Sequence, residues 1–96
     1  MNLVIDIGNS RVKLFLFKND KITFRSLCNH NEFIKTLQTL PFREEIINVI
    51  SSTVSVNYDD IIELNFKNSN YFKLSNKNLK LPFQNNYKTL NSLGQD

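Results

Sequence analysis

Asn2-Leu3-Val4-Ile5-Asp6-Ile7-Gly8-Asn9-Ser10-Arg11-Val12-Lys13-Leu14-Phe15-Leu16-Phe17-Lys18 is the stretch that decides the fold. From Asn2 to Ile7 the residues alternate. Leu3, Ile5 and Ile7 face one way and Val4 and Asp6 the other, the period of a strand. Gly8-Asn9 then supplies a turn. Arg11 to Lys18 alternates again, with Val12, Leu14 and Leu16 opposite Lys13, Phe15 and Phe17. Asn19-Asp20 makes another turn, and Lys21 to Leu27 reads as a third, more polar strand carrying Ile22 and Phe24 and reaching towards Cys28. Three strands joined by short turns form an antiparallel meander.

The period changes after Asn29. Phe33, Ile34, Leu37 and Leu40 fall at i, i+1, i+4 and i+7, the apolar stripe of a helix. Asn29 or Asn31 is placed to cap its start and Pro41 to end it. Ile46, Ile47, Val49 and Ile50 form a short apolar run of the kind buried on both faces of a sheet, closed by Ser51-Ser52-Thr53. Tyr58, Ile61, Ile62 and Phe66 predict a second helix, with Asp59 and Asp60 in its first turn, where carboxylates suit the helix dipole. Asn68 to Asn70 reads as a loop, Tyr71 to Leu74 as another strand, Asn76 to Asn86 as an irregular segment around Pro82, and Thr89 to Asp96 as the beginning of a helix. The order βββαβαβ predicts an α/β fold, a mixed sheet with helices on its faces. This is the layout of the ribonuclease H-like fold, used by nucleases and by actin-like sugar and acid kinases.

Composition narrows the partners. A length of 96 residues fits one small domain or part of a larger one. Hydrophobic residues at 41% and charged residues at 22% are ordinary for a globular chain, so disorder is not expected over most of the length. Cys28 is the only cysteine, so no internal disulfide forms; this favours a reducing compartment, the cytoplasm, with Cys28 as a small buried hydrophobe. No cationic leader precedes an apolar run, and none approaches the roughly 20 residues of a membrane span, so neither a signal peptide nor a membrane partner is expected. The net charge of +3 is scattered from Arg11 to Lys88 rather than gathered into a stripe, which argues against nucleic acid and suits an anionic small substrate.

Three segments carry chemistry. Asp6 to Lys13 joins the first two strands. Its N–H groups, the Asn9 amide and the Ser10 hydroxyl are donors for phosphate oxygens, Lys13 adds a point charge, and Asp6 at a strand end can hold Mg²⁺. A plain hairpin with a strand-end carboxylate accounts for the same spacing. Ile50 to Val54 lies at the carboxyl end of the buried strand, where open α/β sheets bind ligands, and reads equally as a strand terminus with a Ser/Thr turn. Leu81-Pro82-Phe83, Tyr87 and Leu93-Gly94-Gln95-Asp96 say almost nothing taken alone.

Together the three resemble a known family. Residues 2–13 resemble the phosphate-binding loop of type III pantothenate kinases. Val49-Ile50-Ser51-Ser52-Thr53-Val54 is similar to the strand end that follows it there. Leu81-Pro82-Phe83, Asn86-Tyr87 and Leu93-Gly94-Gln95-Asp96 resemble the second signature, a Pro-containing stretch, a Tyr and then Gly-x-Asp-Arg. The resemblance spans essentially the whole chain and less than half of what the family has.

It implies that Asp6, Ile7, Gly8, Asn9, Ser10, Arg11, Val12 and Lys13 form the ATP phosphate site, with Asp6 near the Mg²⁺. It implies that Tyr87, Gly94, Gln95 and Asp96 bind pantothenate and that Asp96 is the catalytic base. It further implies a homodimer, a monovalent cation (K⁺ or NH₄⁺) whose ligand lies beyond this segment, and a place at the start of coenzyme A synthesis. Ser10 stands where Thr is common and Leu90 where Pro is common. The Arg expected after Asp96 is not in the sequence. The chain is therefore expected to be the N-terminal, ribonuclease H-like part of such an enzyme (residues 1–96), inactive by itself and prone to self-association. Two rivals remain: another actin-like kinase acting on a sugar or acid, and a ribonuclease H-like nuclease or nucleic-acid-binding domain. The second needs several carboxylates on metal ions, and Asp6 and Asp96 supply two at most.

Overall fold

The computed structural model describes residues 1–74. Strands β1 (Asn2–Ile7), β2 (Arg11–Lys18) and β3 (Lys21–Asn29) form the meander. A 3₁₀ turn, His30–Glu32, leads into helix α1 (Phe33–Gln38), and a second, Arg43–Glu45, precedes β4 (Asn48–Thr53). Helix α2 (Asp59–Asn65) and strand β5 (Asn70–Lys73) complete the order. The sheet runs β3-β2-β1-β4-β5. β1–β2 and β2–β3 are antiparallel, whereas β1–β4 and β4–β5 are parallel. The mixed sheet and the βββαβαβ order match the sequence reading over these residues. The segments read at 76–86 and 89–96 lie outside the described residues.

Alternation along the strands divides the core in two. Leu3, Ile5 and Ile7 of β1, Val12, Leu14 and Leu16 of β2, and Val49 of β4 pack with Phe33 and Leu37 of α1 and Ile62 of α2. Val4, Phe15, Phe17 and Ile50 are buried on the other face, with Ile22 and Phe72 against them. Asn19 and Asp20, at φ of 52° and 67°, turn β2 into β3, a left-handed pair that short polar residues tolerate.

Ile22 and Phe24, two residues apart, would share one face of a regular β3. They lie on opposite faces, because the β2–β3 register shifts between Leu16 and Phe17. Leu16 pairs with Phe24 and Phe17 with Ile22, so Thr23 is the extra residue of a bulge, its hydroxyl donating to the Leu16 carbonyl at 3.2 Å. The strand also continues through Cys28 to Asn29.

The first helix begins as a 3₁₀ turn capped by Asn29. The Asn29 side chain accepts from the Glu32 N–H at 3.0 Å, and Glu32 reaches back to the Asn29 N–H. The α-helix ends at Gln38, before the expected stop at Pro41. Proline disfavours a helical residue before it, so Pro41 acts through Leu40, which leaves the helix yet stays buried. Ile47, read as buried, is 59% exposed, although its N–H donates to the Met1 carbonyl and its carbonyl accepts from the Asn70 N–H, each at 2.9 Å. Ser51, Ser52 and Thr53 close β4 as its last three residues, paired with Ile5, Asp6 and Ile7.

Candidate functional site

The carboxyl end of β1 and the start of β2 meet at the loop that the sequence marks. Asp6 pairs across the strands with Lys13 and, on its other side, with Ser52, so these three share the face away from the two helices. At Asp6 and Lys13 lies a cavity of about 500 Å³, lined also by Gly8, Asn9, Ser10, Arg11, Leu27 and Val54. Six of the eight loop residues expected at a phosphate site are thus gathered at one cavity. Ile7 and Val12 are not: both side chains are buried in the helix-side core, so they hold the loop from beneath and offer the cavity no side-chain contact.

The loop is held at Gly8. Its N–H donates to the Arg11 carbonyl at 2.9 Å. Its carbonyl accepts from the Ser55 hydroxyl at 2.7 Å and faces His30 Nε2 at 3.0 Å. Its φ is not positive, so glycine is favoured here by close approach instead: an added Cβ would sit 3.1 Å from the Arg11 carbonyl oxygen, a tight contact. A carbonyl only accepts, so Nε2 carries the His30 proton. In the neutral ring Nδ1 then accepts from the Tyr58 hydroxyl at 2.6 Å. Tyr58 in turn packs on Phe33 with ring centroids 4.5 Å apart. His30 and Ser55 escaped the sequence reading, and Tyr58 was read only as a helix residue. The chain's single histidine was the available signal, but only the pairing of Arg11 with Asn29 brings the end of β3 beside Gly8.

The β4 end divides its residues. Val54 lines the cavity, and its N–H donates to the Ile7 carbonyl at 3.1 Å, extending the ladder. Thr53 closes a local turn, donating to the Val56 carbonyl at 2.8 Å and accepting from the Ser55 N–H at 3.1 Å. Ser51 is buried on the helix side, 2.5 Å from the Tyr71 hydroxyl. Tyr71 donates to Asp59 at 2.7 Å, and Lys73 binds the other oxygen of that carboxylate at 2.9 Å. Burial pushes the Asp59 carboxyl up, but the hydrogen bonds from Tyr71 and Lys73 and the Lys73 charge outweigh it, leaving Asp59 below its ordinary value. Burial chiefly pushes the Tyr71 phenol far above its ordinary range, with Asp59 adding to the rise and Ser51 opposing it. This relay joins β4, β5 and α2.

Tyr87, Gly94, Gln95 and Asp96 lie outside the described residues. Among the described residues no group of three His, Cys, Asp or Glu side chains is disposed to hold a metal. Among the described residues that line the cavity, Asp6 is the one carboxylate. That donor set fits Mg²⁺ arriving on a nucleotide, since Mg²⁺ keeps several waters and takes one or two carboxylates beside phosphate oxygens. Among the same residues no helix is long and apolar enough to cross a membrane.

A family model described as type III pantothenate kinase matches residues 2–96. A type III pantothenate kinase of Christiangramia forsetii is 31% identical over 98 aligned positions, covering all of this chain and 40% of that protein. One of Flavobacterium psychrophilum is 31% identical over 97, with the same coverage. The chain thus spans about two-fifths of the length of the curated relatives it matches. Among solved structures, one described as a candidate N-acetylglucosamine kinase from Porphyromonas gingivalis superposes with a TM-score of 0.61 at 13% identity, covering 76% of this chain and 33% of that one. At that identity the likeness is one of fold, and the fold is the actin-like, ribonuclease H-like one that the strand order predicts.

Proposed function

The chain belongs to the type III pantothenate kinase family, and on that premise we propose that its protein transfers the γ-phosphoryl group of ATP to the primary hydroxyl of pantothenate, yielding 4′-phosphopantothenate for coenzyme A synthesis. The observation that carries this reading is the cavity on which Asp6, Asn9, Ser10 and Lys13 converge, at the carboxyl end of a parallel strand pair. Such an end is where α/β sheets take nucleotides.

The roles follow from the donors. Lys13 places a positive charge against the polyphosphate, and the Asn9 amide and Ser10 hydroxyl offer hydrogen bonds to its oxygens. Asp6 would hold the Mg²⁺ that accompanies ATP, and the ion's charge would offset that of the phosphoryl oxygens. Asp96 accepts the proton of the pantothenate hydroxyl as that oxygen attacks the γ-phosphorus and the bond to the β–γ bridging oxygen breaks, releasing ADP. Tyr87, Gly94 and Gln95 bind pantothenate beside it. These four assignments rest on the sequence signature alone. Residues 1–96 supply the first ribonuclease H-like subdomain. The K⁺ or NH₄⁺ ligand and most of the homodimer surface fall in the part of the family that this chain does not span, and the enzyme works in the cytoplasm on small molecules, apart from nucleic acid and membrane.

The test is ATP-dependent phosphorylation of pantothenate by the full product of the gene, beside its Asp96→Asn variant and with N-acetylglucosamine as a competing acceptor. Turnover of pantothenate that collapses in the variant is expected. Turnover that survives Asp96→Asn removes the base assignment. Turnover of the sugar in place of pantothenate overturns the acceptor.

A further inference from the structure

The Gly8 carbonyl is gripped by two side chains from outside the loop. Its two partners come from different places: His30 from the turn after β3, and Ser55 from the segment after β4. Neither lines the cavity. The peptide joining Gly8 to Asn9 is trans, as all peptides among the described residues are. In a trans peptide the C=O and the following N–H point in opposite directions. A Gly8 carbonyl directed at His30 and Ser55 therefore directs the Asn9 N–H away from them, towards the side where Asn9 and Ser10 wall the cavity. Among the described residues no hydrogen bond engages Asn9 or Ser10, so that donor is not spent on any of them.

We propose that His30 and Ser55 are positioning residues for phosphate binding: they lock the Gly8–Asn9 peptide so that the Asn9 N–H is presented to the polyphosphate of the nucleotide. His30 acts through Gly8 and touches no substrate. Its other nitrogen is held by Tyr58, which packs on Phe33 in the core, so the imidazole is braced against the helix layer. The loop is thereby ordered before ligand arrives, which lowers the ordering cost of binding. The inference rests on the phosphate-site reading above and names a device within that site.

The experiment measures inorganic tripolyphosphate binding by calorimetry, together with KM for ATP and for pantothenate, on the full gene product. The variants are His30→Ala, His30→Gln, Ser55→Ala and, as a control on the reading itself, Lys13→Ala. His30→Ala is expected to weaken tripolyphosphate binding and raise the ATP KM by about tenfold, the scale of losing one well-placed hydrogen bond. The pantothenate KM should stay put. His30→Gln, which keeps an N–H for the Gly8 carbonyl, should recover most of the loss. Ser55 is exposed and its removal leaves the core intact, so Ser55→Ala carries the test should His30→Ala fail to fold. Loss from Lys13→Ala with unchanged tripolyphosphate affinity in His30→Ala and Ser55→Ala overturns this inference and leaves the site standing. A fall in melting temperature and kcat without a change in ATP KM overturns it too, reducing His30 to a packing residue. Unchanged affinity in all variants, Lys13→Ala included, overturns the phosphate site itself.

Discussion

Replacing Tyr71 with Phe tests the relay that ties the parallel strands to α2. The Tyr71 hydroxyl donates to Asp59, so Ser51 must donate to Tyr71. Ser51 is 1% exposed, so in Tyr71→Phe its hydroxyl loses its partner where water cannot replace it. An orphaned buried hydroxyl costs about 1–3 kcal/mol, and Asp59 also loses one charged hydrogen bond. The Asp59 side chain is 27% exposed, so water and Lys73 make good most of that second loss, about 1 kcal/mol remaining. The sum is about 3 kcal/mol. Ser51→Ala alone removes one hydroxyl and leaves Tyr71 donating to Asp59, costing about 1 kcal/mol.

The double variant is the informative one. With Ser51 already Ala, Tyr71→Phe strands nothing, and its cost falls to about 1 kcal/mol. The pair should therefore cost about 2 kcal/mol, where the two single changes would add to about 4, a coupling of about 2 kcal/mol. Urea unfolding of the four proteins reads this directly. Melting should show the Tyr71→Phe loss as roughly 12–24 °C, since about 1 kcal/mol moves a domain of this size by 4–8 °C. Single costs that add to within about 0.5 kcal/mol would refute the reasoning, because they would mean that Ser51 finds another partner and the relay does not act as a unit.

Stability should also fall with acid in a way Asp59 explains. Its carboxyl lies below its ordinary value when folded, so the unfolded chain binds the proton more readily. The stabilisation is complete above the unfolded value, about 4, and is lost as pH falls through the folded one; Asp59→Asn should flatten the stability curve in that window. Arg43 donates to the carbonyls of Leu37 and Asn65, at the ends of α1 and α2, and lies 5.0 Å over the Phe66 ring. Arg43→Met keeps the stem and should lose about 2–3 kcal/mol in urea unfolding, whereas a loss below about 0.5 would show that water replaces both bonds. Cys28 is 7% exposed, and its thiol is raised chiefly by burial and also by Glu32, with Thr36 opposing, so iodoacetamide should label it only as fast as the protein unfolds. Prompt labelling of the native protein would contradict that burial.

Most of the strand plan was legible because it depends on a period of two. Leu3, Ile5 and Ile7 against Val4 and Asp6 give β1 and both its faces with no knowledge of its neighbours. The split of Ile22 from Phe24 was hidden, because a bulge is created by a partner strand and leaves no periodic trace. Ile47 misled too: it continues an apolar run and its backbone bonds Met1 and Asn70, yet its side chain stays exposed at the start of the ladder. The loop Asp6–Lys13 was legible from residue type. His30 and Ser55 were not, since their bond to Gly8 joins residues 22 and 47 positions apart that only the folded sheet brings together.

The chemistry of this loop is set by the packing beneath it. Ile7 and Val12 are buried under the turn, paired with each other, and commit the flanking strands to one register. With Ile5, Ile7 and Val12 on the helix side, Asp6 and Lys13 must face the other way, directly opposite one another. A slip of one residue would turn both charges into the apolar layer of Phe33, Leu37 and Ile62, where an unpaired charge is far too costly to keep. The same residues that make the fold cooperative therefore exclude the arrangement without a site. Ile7 and Val12 belong to the phosphate loop in this sense: they touch no ligand, and the placement of Asp6 and Lys13 depends on them.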